Sequence, residues 1–439
     1  MKSVQVASSI AVSIVSAVGL VWAIRQYYRR KQQTAVKAFG LELKQTAFCV
    51  DENIYLCNNG SFAAVPRQLL QQQQRLMEER ERNAELWYRR QYDPKHFPSE
   101  GGLNLYGQAV MAVADFVGAK FENLVLVENT TVGINSVLKN LPLKKGDKIL
   151  LTSHSYGAVI KTVQVVCEQT GSEAVTIKIP IPIKSEEDFI KLYSDALEQH
   201  NIKVAVIDHI TSPSAILFPL ERLATLCHKK GVLVIVDGAH TPGQVPLNLE
   251  QLPVDFYVGN LHKWLFCPRS CALLWVHPSH QDSFQHVITS HHASASTLME
   301  RFCFIGTRDN LPYYLAPSAI KFHQDLGGLE AIADYNSSLI GWAADMIAKA
   351  WKTEQMAIPA QMRAPFMAVV AVPETDAYPG CPDTCGKLMA DVFYCSGVMG
   401  AFSFFNGRLW CRLSSHVYNC KDDYYKLRDA VLQVIQKDQ

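Results

Sequence analysis

Hydrophobic residues along the chain fall into two alternating kinds of stretch. Short apolar runs, among them Val204 to Ile207, Val232 to Val236 and, in the stretch Asp255 to Val258, the three residues after the acid, have the character of buried strands. Between them, Leu105 to Val117 and Leu220 to Lys230 place apolar residues every three or four positions, the period of an amphipathic helix. Leu124 begins a short strand feeding a helix that runs to Leu141, Lys148 to Thr152 is a further strand, and Val175 to Ile183 interleaves prolines with apolar residues, as an edge strand does. Strands that alternate with helices predict a large, mostly parallel α/β sheet.

The pattern changes on either side of this region. Towards the C-terminus, helices over Tyr313 to Asp325 and Leu329 to Trp351 lead into a strand at Phe366 to Val372, a helix at Thr384 to Cys395, a strand at Leu409 to Leu413 and a closing helix at Lys421 to Ile435. That is an α+β pattern. Towards the N-terminus, Ile54 to Pro66 breaks a short strand at the turn cluster Asn58, Asn59, Gly60, Ser61, and Pro66 opens a helix from Arg67 to Arg90. The expected division is 1–33, an N-terminal segment 34–95, a large domain 96–315 and a small C-terminal domain 316–439.

The first of these pieces has its own logic. Val4 to Ile24 carries no charged residue and is about long enough to cross a bilayer as a helix. Arg25, Arg29, Arg30 and Lys31 follow, with Trp22, Tyr27 and Tyr28 at the expected interface. A cleaved signal peptide has a shorter apolar core preceded by basic residues, and a mitochondrial presequence has arginines within its helix. The expectation is therefore a single N-terminal transmembrane anchor, with the basic flank and the rest of the chain on the cytosolic side. Which membrane it enters is not encoded in these residues.

Composition narrows the remaining possibilities. Across 439 residues, 42 Lys and Arg stand against 41 Asp and Glu, a formal charge of +1, so no global field favours nucleic acid. The 12 cysteines show no Cys-x-x-Cys spacing and fit reduced thiols better than a disulfide framework. His277, His280, His286, His291 and His292 cluster, but their spacing matches no ligand motif, and no metal is expected there.

Candidate chemistry lies at strand ends. The run Val232 to Val236 ends in Asp237 and a small-residue turn with His240, and the run to Val258 leads into Asn260, His262 and Lys263. Strand carboxyl ends are where open α/β sheets bind ligands. Taken singly, Asp237 reads equally well as a turn cap and Lys263 as a solvated lysine. Together, a lysine near its neutral form can make a Schiff base, and a carboxylate can hold a pyridine nitrogen protonated.

The stretch D-G-A-H at Asp237 to His240, followed by H-K-W-L-F-C-P from His262, resembles the class V aminotransferases, pyridoxal phosphate (PLP) enzymes of fold type I. The nearest subgroup contains isopenicillin N epimerase-like proteins and cysteine desulfhydrases, and the likeness runs from Ile54 to about Val431. It implies that Lys263 carries PLP and then acts as base at Cα, while Asp237 partners the ring nitrogen. Arg412, in R-x-S wording, would hold the substrate carboxylate, near Asn59 of the N-N-G-S-F segment. Thr130 and Thr131, at a helix start suited to anions, would hold the phosphate. Tyr156 would stack on the ring, and Ser212, His240, Asn260 and His262 would orient the cofactor; from sequence, His209 and Thr211 compete with Ser212 for that place. Gly306 and Thr307 would reach the cofactor phosphate of a second subunit, which implies a homodimer.

Loss of a β-thiolate, reprotonation on the other face and transamination share these first steps. The wording N-L-H-K-W-L-F-C-P favours a PLP-dependent lyase acting on a cysteine-like amino acid, with an amino-acid epimerase or aminotransferase as the alternative. The cysteine that desulfurases use as a persulfide carrier has its equivalent near Gly400, with Cys395 several residues away, which disfavours that route. A catalytically silent, membrane-tethered scaffold is the reading from another class, and the presence of Asp237, His240, Lys263 and Arg412 weighs against it.

Overall fold

The computed structural model describes residues 38–99 and 103–436. Seven strands make the central sheet: β1 (Leu124–Val127), β2 (Lys148–Thr152), β3 (Glu173–Ile177), β4 (Ile202–Asp208), β5 (Leu233–Asp237), β6 (Phe256–Asn260) and β7 (Ala272–Val276). Their order is β1-β7-β6-β5-β4-β2-β3. All pairings are parallel except those of β7, which runs antiparallel to both β6 and β1. Between β6 and β7 lie only the helix Leu261–Trp264 and a loop, too little chain for a parallel crossover.

Both faces of the sheet are covered, which is why its strands read as continuous apolar runs. Ala205, Ile207, Val234 and Val236 pack on one face, and Val204, Val206 and Ile235 on the other. By the same alternation Asp208 and Asp237 extend the second face, and they are register partners across β4 and β5. Two carboxylates therefore stand side by side at the sheet's carboxyl edge.

A smaller antiparallel sheet holds β8 (Met367–Ala371), β9 (Phe402–Phe405) and β10 (Arg408–Ser414) in the order β9-β10-β8. Gly328–Trp351, Pro382–Ser396 and Lys421–Gln436 are the helices beside it, and Leu339, Ala343, Ile347, Leu388, Leu427 and Val431 share its core. Tyr55–Leu56 pairs in parallel with Val398–Met399 as a separate two-stranded sheet, tying the N-terminal segment to the C-terminal region.

Some elements depart from expectation. The helix expected from Arg67 to Arg90 is two, Arg67–Arg82 and Ala84–Tyr92, because Asn83 leaves the helical region and its side chain accepts from the Leu86 N–H as a new N-cap. The edge strand expected to Ile183 ends at Ile177. Strand β9 was not expected. Its signal was the Asn406-Gly407 pair, both at positive φ, 50° and 73°, the turn that closes tight hairpins.

The transmembrane anchor expected over Val4 to Ile24 lies outside the described residues. Among the described residues no helix is long and apolar enough to cross a membrane. The longest described helix, Gly328–Trp351, carries Glu330, Asp334, Asp345 and Lys349 and buries its apolar stripe in the protein. The expected localisation on a membrane through such a helix is accordingly withdrawn.

Candidate active site

A cavity of about 300 Å³ opens at the carboxyl edge of the large sheet. Its floor is made of strand ends. Asp237 closes β5 and is buried, with one carboxylate oxygen accepting the Ala239 N–H at 3.0 Å. Asn260 closes β6, and the short helix after it lifts His262 and Lys263 to the cavity. Lys263 Nζ lies 3.0 Å from His240 Nε2.

The electrostatics of this floor are unusual. Burial, then the charge of Arg412, pushes the Lys263 ammonium down to about 7, against the pull of Asp237. His240 is held well below its ordinary value, first by burial and then by the Lys263 and Arg412 charges; a neutral imidazole can accept from the amine. Burial also pushes the Asp237 carboxyl up, opposed by the Ala239 N–H and the Lys263 charge. A buried lysine near 7 changes its protonation with little cost at neutral pH.

The other end of the cavity suits an anion. Thr130 and Thr131 begin the helix Thr130–Asn140, capped by Asn129, whose side chain accepts the Val132 N–H. The Thr130 N–H donates to Asn260 Oδ1 at 3.0 Å, which locks the helix start to the end of β6. Gly133, one turn in, permits that approach, since a Cβ there would lie 2.4 Å from Val258. His262 shares a hydrogen bond between Nδ1 and the Cys271 carbonyl, and burial pushes it down to about 4. The helix dipole favours negative charge at this corner.

The wall opposite comes from distant segments. Arg412, on β10, is buried and donates through Nη1 to the Ser212 carbonyl at 2.7 Å, and through Nη2 to Ser61 Oγ at 3.0 Å and to Asn58. Desolvation pushes its guanidinium down to about 10. Tyr156 lines the cavity and is 48% exposed.

Most of the residues anticipated from sequence line this one cavity: Thr130, Thr131, Tyr156, Ser212, Asp237, His240, Asn260, His262 and Lys263. Arg412 reaches its rim through Ser61 and Ser212. Of the three competing residues, Ser212 is the one that lines the cavity. His209 instead bonds Tyr257 Oη, and Thr211 bonds Ser214 and the Ile216 backbone.

Asn59 is a correction. It is buried away from the cavity, its amide donating to Leu56 and Asn419 and accepting from Tyr418 Oη, so Asn58 and Ser61 are the polar side chains of that turn that meet Arg412. Gly306 and Thr307 are exposed and not part of this chain's cavity. His280 of the histidine-rich region and His228 of the helix Leu220–Lys229 bracket Asp255.

Two charged cavity residues were missed. Asp208, 2% exposed, accepts from Ser155 Oγ at 2.8 Å, and burial together with the Asp237 charge holds its carboxyl well above the usual range. Its signal was the acidic end of the apolar run Val204 to Ile207, the same signal that singled out Asp237. Arg269, on the loop after Lys263, also lines the cavity; nothing in the local pattern separates it from a surface arginine.

PLP can be tested against these residues. Thr130 Oγ1 and His240 Nδ1 are buried polar atoms with no partner among the described residues, and both residues line the cavity. An isolated buried polar atom is costly, and a phosphate oxygen or a ring substituent would satisfy each. With a lysine near 7, an acid beside it and an anion corner at the helix start, the donor set fits the cofactor.

Comparison with known proteins agrees. The family profile described as Aminotransferase class-V matches residues 54–425. L-cysteine desulfhydrase of Arabidopsis thaliana is 30% identical over 412 residues, covering 87% of this chain and 88% of that protein. Hercynylcysteine sulfoxide lyase of Schizosaccharomyces pombe is 25% identical over 408 residues, 90% of this chain and 97% of that one. Among solved structures, the cysteine desulfurase CsdA of Escherichia coli superposes with a TM-score of 0.68 at 16% identity, covering 90% of this chain and 98% of that one; at that identity the likeness speaks for the fold.

Proposed function

The chain belongs to the class V aminotransferase family, and on that premise we propose that it is a PLP-dependent carbon–sulfur lyase acting on a cysteine-like amino acid. The observation that carries the reading is the contact of Lys263 Nζ with a neutral His240 on the same floor as Asp237. The names of its relatives, a cysteine desulfhydrase and a hercynylcysteine sulfoxide lyase, support cleavage at carbon–sulfur bonds.

When bound, PLP supplies an aldehyde that condenses with amines and a ring that accepts electrons. Lys263, Asp237, Thr130, Thr131, His262 and Ser212 are the residues that would hold it. The amine of Lys263, pushed to about 7, is available at neutral pH to take the proton from the substrate's Cα. His240 Nε2 orients that amine. Arg412 presents its guanidinium to the substrate carboxylate in a planar fork. Asp237 would partner the ring nitrogen and so favour the flow of electrons into the ring. As the Cα proton leaves, the Cβ–S bond breaks and sulfur departs with the electron pair.

A homodimer is part of the proposal. Gly306 and Thr307 lie on the surface with Gly306 at a φ of 119°, free to enter a second copy's anion corner.

The test is to reconstitute the protein with PLP and L-cysteine and to follow visible absorbance together with sulfide and pyruvate. Release of both, with loss of the visible band and of turnover in Lys263→Ala, is expected. A protein that binds no PLP, or binds it without involving Lys263, would sink the proposal.

A further inference from the structure

The cavity holds a second arginine that the reaction above does not use. Arg269 sits on the loop Phe266–Ser270, and two non-glycine residues of that loop, Phe266 at φ 63° and Ser270 at φ 70°, occupy the left-handed region. Strained backbone persists only where surrounding structure fixes it and gathers at functional sites. Here the fixing is visible: Phe266 and Cys267 are buried. Arg269 is exposed at the mouth of the cavity.

Its guanidinium makes one hydrogen bond, from Nη2 to the Ala63 carbonyl at 3.0 Å. Among the described residues no carboxylate lies within ion-pair distance of it. The cavity's own acids, Asp208 and Asp237, stand at the floor. Arg412 grips the same N-terminal turn at Ser61, at 3.0 Å. Ser61 and Ala63 are two residues apart, a chain distance of at most ~7 Å. Two guanidinium groups therefore flank one cavity, spaced by one two-residue step and two hydrogen bonds. Phe62, between them in sequence, is 71% exposed and lines the same mouth.

We propose that Arg269 is a specificity residue that binds an anionic group on the sulfur substituent of the substrate, so that the preferred substrates are S-substituted cysteines with a distal carboxylate or similar anion. This rests on the lyase reading. Arg412 takes the α-carboxylate, Arg269 takes the distal anion, and the Cβ–S bond lies between them. In the step itself the Cα proton goes to Lys263, and the Cβ–S bond breaks with its electron pair leaving on sulfur. That sulfur departs as the anion-bearing thiol, and water releases pyruvate and ammonia from the remaining three-carbon fragment. No oxidant or reductant is needed.

The experiment uses the PLP-loaded enzyme with two probes, S-carboxymethyl-L-cysteine and S-methyl-L-cysteine, measuring kcat/KM for each and, independently, equilibrium binding by calorimetry. The carboxymethyl probe is expected to be preferred, and Arg269→Gln is expected to lower that preference roughly 10- to 100-fold, the worth of a charge-assisted hydrogen bond. Arg269→Lys, which keeps the charge without the fork, should fall between. Equal treatment of the two probes by the parent enzyme, or an equal effect of Arg269→Gln on both, overturns the proposal. Weaker retention of PLP in Arg269→Gln with discrimination unchanged also overturns it, because the arginine would then serve the cofactor phosphate. If neither probe is eliminated, the lyase reading fails, while the calorimetric preference still decides the role of Arg269.

Discussion

The floor of the cavity and its wall are built in opposite ways. Asp208, Asp237, Asn260 and Lys263 stand at or just past the ends of adjacent strands, and the sheet's own hydrogen bonds and buried side chains set their spacing. Arg412 reaches Asn58 and Ser61 across 354 and 351 residues of chain, and its place depends on how the N-terminal turn and the small sheet dock on the large one. The floor is thus preorganised by one element, whereas the wall is assembled from three segments. Damage to the floor should appear in the chemical step, and damage to the wall in binding.

The largest effect should come from the floor. Replacing Asp237 with Ala removes a carboxylate whose charge acts on Lys263, and kcat on L-cysteine should fall roughly 10²- to 10³-fold with a much smaller change in KM. Steady-state kinetics with PLP in excess checks this. A change confined to KM would erase the distinction between floor and wall.

Arg412→Lys probes the wall. Lysine keeps the charge but loses the fork that meets a carboxylate in parallel, and the shorter donor set leaves Ser61, Asn58 and the Ser212 carbonyl without their common partner. KM should rise by about tenfold or more, with kcat changing a few-fold. A kcat collapse at unchanged KM would place Arg412 in the chemistry.

Lys263 offers a pH test in the cofactor-free protein. Its folded value of about 7 lies below its ordinary 10.5, so the unfolded chain binds more protons between those limits. Stability should therefore rise with pH from about 7 towards 10, as the penalty for a buried ammonium disappears. Lys263→Met should flatten that rise relative to the parent in thermal melts. Parallel profiles would mean that Lys263 is solvated when the cofactor is absent.

The same contrast explains what was legible in the sequence. The floor was readable because apolar runs ending in Asp237 and in Asn260-Leu261-His262-Lys263 are local patterns, and strand alternation puts their ends on one edge. Asp208 follows the same rule, but the turn after it, with His209, Thr211 and Ser212, holds the more conspicuous candidates. The wall was partly readable: Arg412 was found through its R-x-S wording, but the choice of Asn59 over Asn58 depended on which side chain a turn points inward. Docking against Tyr418 and Asn419 decides that, and no local pattern encodes it. Arg269 was invisible for the same reason.

The smallest effect tests the clasp that positions the wall. Asn406, in the β9–β10 turn, accepts through Oδ1 from His154 Nε2 at 3.3 Å and donates through Nδ2 to the Ile179 carbonyl at 2.9 Å. His154 is itself buried, bonded to Ser214 Oγ at 2.8 Å, and burial pushes it below its ordinary value. The turn thus pins the hairpin whose second strand carries Arg412 onto the large sheet's edge. Asn406→Gly keeps the positive φ that the turn requires, since glycine adopts it freely, and removes only the side-chain bonds. Stability should fall by about 1–2 kcal/mol, and KM should rise modestly while kcat holds, because Arg412 loses part of its support and Lys263 loses none. Equal loss in kcat and KM would mean that the clasp also steadies the floor, through the loop from His154 to Tyr156.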